Sequence, residues 1–233
     1  MPKRFLAILL LAQLPASGLA ASLSVAPTRI DLEAGDPAAV VTLQNDAVEP
    51  VMVQVQTFAW PRSPGSADLE PTRDVLAVPP VFEVAGKGKQ IIRVALRAPF
   101  AGERERAYRL LITEVPRGGT TGTGVRFALR LSLPVFVTPL GAEPRAVWSL
   151  RETRAAPELV LRNEGTAHLQ VRRIVLRPGG NGVAAQSIET SAYVLAGQEH
   201  SWPLPSGTRS TTLQLEAETN IGPLPATVVP PRS

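Results

Sequence analysis

The chain has 233 residues, a formal net charge of +4, hydrophobic residues at 44% of positions, and no cysteine. The absence of cysteine excludes disulfide bonds, thiol catalysis and cysteine-ligated metals, so stability has to come from packed cores and sheet pairing. Its 24 basic residues are dispersed among 20 acidic ones, which argues against a nucleic-acid partner and against binding to a membrane surface.

The N-terminal segment, residues 1–21, has the pattern of a secretion signal. Lys3 and Arg4 form a short basic stretch, residues 5–14 are almost entirely apolar, and small residues precede a cleavage site directly before or after Ala21. A membrane anchor is the alternative, but it needs roughly 20 apolar residues, and this run stops at about half that length. We therefore predict a signal peptide over 1–21 and an exported mature protein without membrane insertion.

The beginning of the mature chain reads as short strands separated by turns. The chain's 23 prolines and 18 glycines interrupt helices, and turn residues recur about every 8–12 residues, a spacing typical of β-sandwiches. The first strand is interrupted at Pro27, which a strand admits only at an edge or where it changes sheets. Residues 51–57 alternate between apolar and less apolar side chains, as in a strand with one buried face.

The later part of the chain repeats this pattern after a hinge. Residues 61–72 are polar and proline-rich and are predicted to form a loop, whereas residues 125–137 are the longest strand candidate. A hinge follows at 140–145, and no segment has the sustained 3.6-residue period of a helix. We predict an all-β protein of two immunoglobulin-like β-sandwich domains in tandem, over residues 22–139 and 140–233.

The chain is poor in groups suited to catalysis. His168 and His200 are the only imidazoles, and neither has the neighbouring ligands of a metal site or a Gly-x-Ser-x-Gly nucleophile motif. We expect both to be exposed or turn histidines. We also expect the protein to have no enzyme activity, no metal, no cofactor and no small-molecule substrate.

Every second position of the longest strand candidate is apolar: Val125, Phe127, Leu129, Leu131 and Leu133. Because side chains on a strand alternate between its faces, these five residues line one face. An ordinary core strand would have the same pattern. A Gly/Thr-rich loop before the strand and the hinge after it favour another interpretation, an edge strand that pairs with a second protein chain.

Short motifs occur in a fixed order along the mature chain. They include a first strand that ends in Thr28-Arg29, a VPPVF segment at 78–82, an IIRV strand at 91–94, and LSLPVFVTP at 131–139. In order and spacing they resemble the periplasmic assembly chaperones of the chaperone–usher pathway for pili and fimbriae. The last motif resembles the archaic, spore-coat-type branch of that family.

The resemblance implies a function for the apolar strand. Chaperones of this family bind pilus subunits, which are incomplete sandwiches lacking one strand, and complete them by lending their own seventh strand. They then deliver the subunit to an outer-membrane usher. Val125, Phe127 and Leu129 match the donor residues of the family, and Leu131 and Leu133 extend the set. The implied partners are pilus subunits and the usher, in the periplasm.

The resemblance also implies a carboxylate-binding residue. Arg29 matches the cleft arginine that anchors the terminal carboxylate of the subunit, and an arginine fork suits a carboxylate because two parallel hydrogen bonds fit its geometry. Pro134 stands where better-known members carry a second base, a lysine, and Thr138 stands where they carry an arginine. The second cation and one interdomain ion pair are therefore left unassigned, with Arg130 as the substitute cation that the sequence offers.

Two other functions remain open. An exported immunoglobulin-like module that binds carbohydrate or has a structural role is the main alternative, although sugar sites usually show exposed aromatic side chains and only three Trp and two Tyr are present. A β-sandwich hydrolase would need an acid–base constellation that the sequence lacks.

Overall fold

The computed structural model describes residues 23–33, 35–60, 69–116, 128–178, 185–205 and 212–229. In these ranges the chain forms 17 strands, and it has no helix that is long and apolar enough to cross a membrane. The predicted signal peptide lies outside the described residues, as do Val125 and Phe127 of the predicted donor strand.

The strands fall into two groups along the chain. Ten precede residue 139: β1 (Leu23–Ala26), β2 (Ile30–Glu33), β3 (Ala38–Asn45), β4 (Val51–Ala59), β5 (Glu70–Pro71), β6 (Val75–Val78), β7 (Val81–Val84), β8 (Lys89–Leu96), β9 (Arg106–Glu114) and β10 (Arg130–Thr138). Seven follow: β11 (Ala146–Arg151), β12 (Glu158–Asn163), β13 (Leu169–Pro178), β14 (Gln186–Val194), β15 (Glu199–Pro203), β16 (Leu213–Thr219) and β17 (Gly222–Val228).

The first group forms a sandwich of two sheets. One has the order β1-β3-β8-β6, and the other has the order β2-β10-β9-β4-β5 with β7 also paired to β4. The chain changes sheets at Pro27, because β1 pairs antiparallel with β3 whereas β2 pairs parallel with β10. Proline cannot donate a ladder hydrogen bond, so the interruption predicted there coincides with the crossing. Leu43 and Ile92 from one sheet meet Leu110 and Val135 from the other in the core.

The second group forms another sandwich with a core of its own. Its sheets have the orders β11-β12-β15 and β14-β13-β16-β17. Leu161 and Trp202 from the first of these pack with Ile174 and Leu215 from the second. The predicted fold class, two immunoglobulin-like sandwiches in tandem, is confirmed. Residues 139–145 carry no strand, and the domain limits 22–139 and 140–233 stay predictions.

A buried asparagine ties together the loops at one end of the first sandwich. The Asn45 side chain donates to the carbonyl oxygens of Glu49 at 2.8 Å, Val84 at 3.3 Å and Ala85 at 3.2 Å. Its Oδ1 accepts the Ala47 N–H at 3.0 Å. The Asn45 amide thereby gives hydrogen-bond partners to backbone groups in and beside the loops, where ladder pairing ends.

We expect Asn45→Ala to lower the free energy of unfolding by about 2–4 kcal/mol, because it removes hydrogen bonds to one buried and three partly buried backbone groups at once. Gln44→Ala, at the adjacent and partly exposed position of β3, is the matched control. Urea unfolding followed by circular dichroism would compare the two. Equal losses for both variants would show that the Asn45 hydrogen bonds do not stabilise the loops.

Candidate functional site

The first half of β10 has a free edge. On one side β9 pairs with β10 from Arg130 to Val137. On the other side β2 pairs with β10 only from Val135 onward, where Val135 lies opposite Ile30. Among the described residues no strand covers that second side of residues 130–134. Their backbone groups along this edge are therefore free to pair with a strand from another chain.

The apolar side chains at the odd-numbered positions of β10 point toward the inside of the first sandwich. Leu133 is only 5% exposed and belongs to its core, so it fits the ordinary core strand better than a residue offered to a partner. Leu129 and Leu131 are partly buried and pack against the rim of that core. The described part of the predicted donor row thus runs outward from the core, from Leu133 to Leu129.

The opposite face of the same sheet carries an arginine beside Pro134. In the antiparallel pair Arg109 lies directly opposite Pro134, and residues that face each other across adjacent strands share a face. Arg29 directly precedes β2, whose first residue, Ile30, lies opposite Val135 in the parallel pair.

Arg29 is accessible but already has a partner. Its Nε donates to Asp31 Oδ2 at 2.9 Å, and its side chain is 36% exposed. The two terminal nitrogens of the guanidinium keep further N–H groups for a carboxylate. Arg130, the other cation predicted from the sequence, is exposed at the start of β10 and lies four positions before Pro134, roughly 13 Å along the strand.

Arg109 is a cation that sequence analysis did not find. Its guanidinium carbon lies 3.5 Å from the centre of the Trp60 ring and 6.0 Å from that of Tyr193, in the second sandwich. Burial lowers the pKa of Arg109. No described carboxylate forms an ion pair with it. The cleft between the sandwiches therefore contains a partly desolvated positive charge without a carboxylate partner.

A buried polar network joins the two sandwiches beside this cleft. The His168 ring stacks on Phe136 with 3.6 Å between the ring centres and 8° between the planes. Glu105, which is 4% exposed, accepts the backbone N–H of His168 at 3.0 Å and the hydroxyl of Thr138 at 2.9 Å. His168 Nδ1 lies 2.9 Å from both Glu105 oxygens. Thr138 stands where the family carries an arginine. Its hydroxyl donates to Glu105, which in turn binds His168 of the second sandwich, so the two domains are joined here through hydrogen bonds to a shared carboxylate.

The structure corrects the expectation for one histidine. His168 is 6% exposed, because the loop before β13 packs between Phe136 and the segment that carries Glu105. His200 is exposed on β15, as expected. The centres of its ring and of the Trp202 ring lie 4.6 Å apart, with 60° between the ring planes. The described ranges contain no group of three or more side chains that could hold a metal ion.

Comparison with known proteins identifies the family. A family model described as pili and flagellar-assembly chaperone, PapD N-terminal domain, matches residues 22–143. The chain belongs to this chaperone family. The resemblance noted from the sequence motifs is thereby confirmed, whereas no curated protein matches the chain.

Solved structures of pilus chaperones share the fold of this chaperone. A chain of the CsuC–CsuE chaperone–tip adhesion subunit complex, from archaic Csu pili of Acinetobacter baumannii, matches with a TM-score of 0.69 and 22% identity, over 91% of this chain and 100% of that one. The Escherichia coli chaperone DraB matches with a TM-score of 0.62 and 18% identity, over 88% of this chain and 98% of that one. A chain of the complex of Salmonella enterica SafA pilin with the SafB chaperone matches with a TM-score of 0.61 and 18% identity, over 89% of this chain and 96% of that one.

In this chaperone the sequence-predicted site residues separate into two places. Leu129, Leu131 and Leu133 lie on the inner face of the sheet, and Arg29 and Arg130 lie on its outer face. Arg109 escaped the sequence analysis because its position opposite Pro134 depends on the register of β9 against β10. Its signal in the sequence was a charged residue between Tyr108 and Leu110.

Proposed function

We propose that the chain is a periplasmic chaperone that completes pilus subunits with a strand from the free edge of β10 and delivers them to an outer-membrane usher. The observation that carries the proposal is the uncovered edge of residues 130–134, in line with the apolar row of the same strand. The resemblance of residues 131–139 to the archaic branch supports the same assignment. The protein acts by binding alone and needs no cofactor.

The free edge and the apolar row supply two kinds of contact. A subunit that lacks one strand exposes an apolar groove together with unpaired backbone groups on either side of it. β10 offers backbone groups for the ladder, and Leu131, Leu129, Phe127 and Val125 enter the groove in turn. Each apolar side chain that passes from full exposure to full burial contributes roughly 1.5–3 kcal/mol, and Leu129 and Leu131 contribute less because they are already partly buried.

A second surface of the first sandwich supports the usher as a partner. Val40, Leu76, Val78 and Ile91 are about half exposed on the outer face of the four-stranded sheet. Val40 and Val78 flank Arg93 on the neighbouring strand. Contiguous exposed apolar patches mark protein interaction sites. Because this patch and β10 belong to different sheets, the chaperone is able to hold a subunit and contact the usher at the same time.

The aromatic residues do not support the carbohydrate-binding alternative. Trp202 is buried in the second core, and Trp148 packs against that core. Trp60 and Tyr193 face each other between the sandwiches, and Tyr108 is buried in the first core. All three Trp and both Tyr of the chain are therefore used in packing, and none of them forms an exposed platform for a sugar ring.

The proposal is tested by isolating the tagged chain from the periplasm of its source cells and identifying what co-purifies. We expect small exported β-proteins that lack one strand of a sandwich, and these should unfold or aggregate when the chain is deleted. Retention of no such protein, with the subunits stable in the deletion strain, would contradict the proposed function.

Arg29→Ala is expected to keep the fold and to weaken subunit capture, because the residue is accessible and its role is to bind a carboxylate. Loss of one partner of a buried charged hydrogen bond typically costs roughly 2–5 kcal/mol of binding free energy. Arg177→Ala is the matched control, since Arg177 is an exposed arginine paired with Glu216 in the second sandwich. Capture of subunits by the Arg29 variant at the level of this control would show that Arg29 is not an anchor.

A further inference from the structure

A cavity of about 350 Å³ opens at the end of the first sandwich, where β6 and β9 begin and β8 ends. Four charged side chains and an apolar wall line it: Arg73, Asp74, Arg97 and Arg106, with Leu96 and Phe100. Its volume lies within the range of small-molecule sites, roughly 300–1,000 Å³. The donor edge at residues 130–134 and the exposed apolar patch on the four-stranded sheet contain none of these side chains, so the function proposed above makes no use of the cavity.

Strand pairing brings two arginines of this cavity together. Val75 lies opposite Leu96 in the register of β6 and β8. The next two residues are tied by a hydrogen bond of 2.8 Å from the Arg97 N–H to the Asp74 carbonyl oxygen, which sets Arg97 beside the segment that carries Arg73. Both arginine side chains are exposed, and no acid of the described ranges forms an ion pair with either of them.

The acid in the lining is already engaged by other groups of the chain. Asp74 Oδ2 accepts a hydrogen bond from the buried Tyr108 hydroxyl at 3.1 Å and lies 3.7 Å from a terminal nitrogen of Arg106. The Arg106 guanidinium also lies over the Phe100 ring, 4.7 Å from its centre. Asp74 thus balances the charge of one arginine, and within the described part of the chain the other two arginines of the lining have no counter-charge.

We propose that this cavity binds a small organic carboxylate, with Arg73 and Arg97 contacting the carboxylate and the apolar wall contacting the rest of the molecule. Like charges that lie side by side repel each other, and a cavity lined by one sign of charge concentrates the opposite ion. The N–H donors of a guanidinium match the two oxygens of a carboxylate. An inorganic anion would leave the wall of Leu96 and Phe100 unused, which favours an anion that carries an apolar group.

The site is tested by titrating the purified chain with benzoate, benzyl alcohol and acetate while its amide signals are followed by NMR. Benzyl alcohol has the ring without the charge, and acetate has the charge without the ring. We expect benzoate to bind at least about tenfold more tightly than either, with shifts at the amides of Arg97 and Phe100. Arg73→Gln and Arg97→Gln should each weaken benzoate binding by about three- to tenfold, and the double variant should bind benzoate no better than benzyl alcohol.

Arg172→Gln is the matched control and should bind benzoate as the wild-type chain does, since Arg172 is an exposed arginine on β13 of the second sandwich. Equal affinities of the wild-type chain for benzoate and benzyl alcohol would overturn the site. Benzoate binding by the double variant at the wild-type level would overturn it as well.

A fourth probe, the capped dipeptide acetyl-Asp-Phe-amide, separates a free acid from an acidic segment of a partner protein. The site as proposed binds this dipeptide no more tightly than benzoate. Binding of the dipeptide at least about tenfold more tightly than benzoate would overturn the small-molecule site and make the cavity a docking point for a protein. None of these titrations involves a subunit, so the site and the chaperone function fail separately.

Discussion

Glu105→Ala is expected to lower the free energy of unfolding by about 3–5 kcal/mol and to loosen the joint between the two sandwiches, because two donors lose the carboxylate that they share. Without the carboxylate, the backbone N–H of His168 and the hydroxyl of Thr138 lose this acceptor. The stacking of His168 on Phe136, the contact of Trp60 with Tyr193 and the backbone hydrogen bond from residue 105 to Thr166 then remain between the sandwiches.

Urea unfolding of the full chain, with proteolysis at the 139–145 connection as a second readout, measures this effect. Glu103→Ala is the matched control, since Glu103 is an exposed acid in the same loop two positions away. Glu105→Gln should fall between the control and Glu105→Ala, because the amide oxygen replaces only one carboxylate oxygen as an acceptor. A Glu105→Ala protein as stable as the control would show that the Glu105 carboxylate does not hold the joint.

Phe127→Asp is expected to abolish subunit capture without lowering the melting temperature of the free chain. A carboxylate placed in an apolar groove has to be desolvated without a partner, which is costly. Leu133→Asp is the matched comparison, since Leu133 belongs to the same predicted apolar row. Leu133 is buried in the core of the first sandwich, so its replacement should unfold that domain and remove capture along with it.

The two variants separate a lent strand from an ordinary core strand. Thermal melts of each isolated protein, together with pull-down of a subunit, give the necessary pair of measurements. A melting temperature of Phe127→Asp as low as that of Leu133→Asp would place Phe127 in the chaperone's own core. Full capture by a stable Phe127→Asp protein would remove this residue from the donor set.

The fold was predictable because its signals are local in sequence. Pro27 marked the place where the first strand changes sheets, since proline disrupts pairing wherever it occurs in a ladder. The alternation from Leu129 to Leu133 correctly gave one apolar face of a strand. Local alternation cannot tell whether that face packs against the chain's own core or against a partner. Leu133 packs in the chain's own core.

The cleft was only half predictable because it depends on non-local pairing. Arg29 was proposed from a motif. The position of Arg109 in the cleft follows only from the register that sets it opposite Pro134. His168 has an unremarkable sequence context, and it is buried only because the second sandwich brings it against Phe136 and Glu105. Contacts between residues so far apart in the chain leave no periodic signal.

The central claim is that the edge of β10 at residues 130–134 receives a strand from the subunit. Hydrogen–deuterium exchange of peptides that cover residues 128–134, in the free chain and in its complex with a captured subunit, tests it most directly. The account predicts that the amides of this segment that point to the free edge, away from β9, exchange fast in the free chain and become strongly protected in the complex, with peptides from β16 and β17 unchanged. Unchanged exchange across 128–134 in a saturated complex would contradict it, because the subunit would then be held elsewhere.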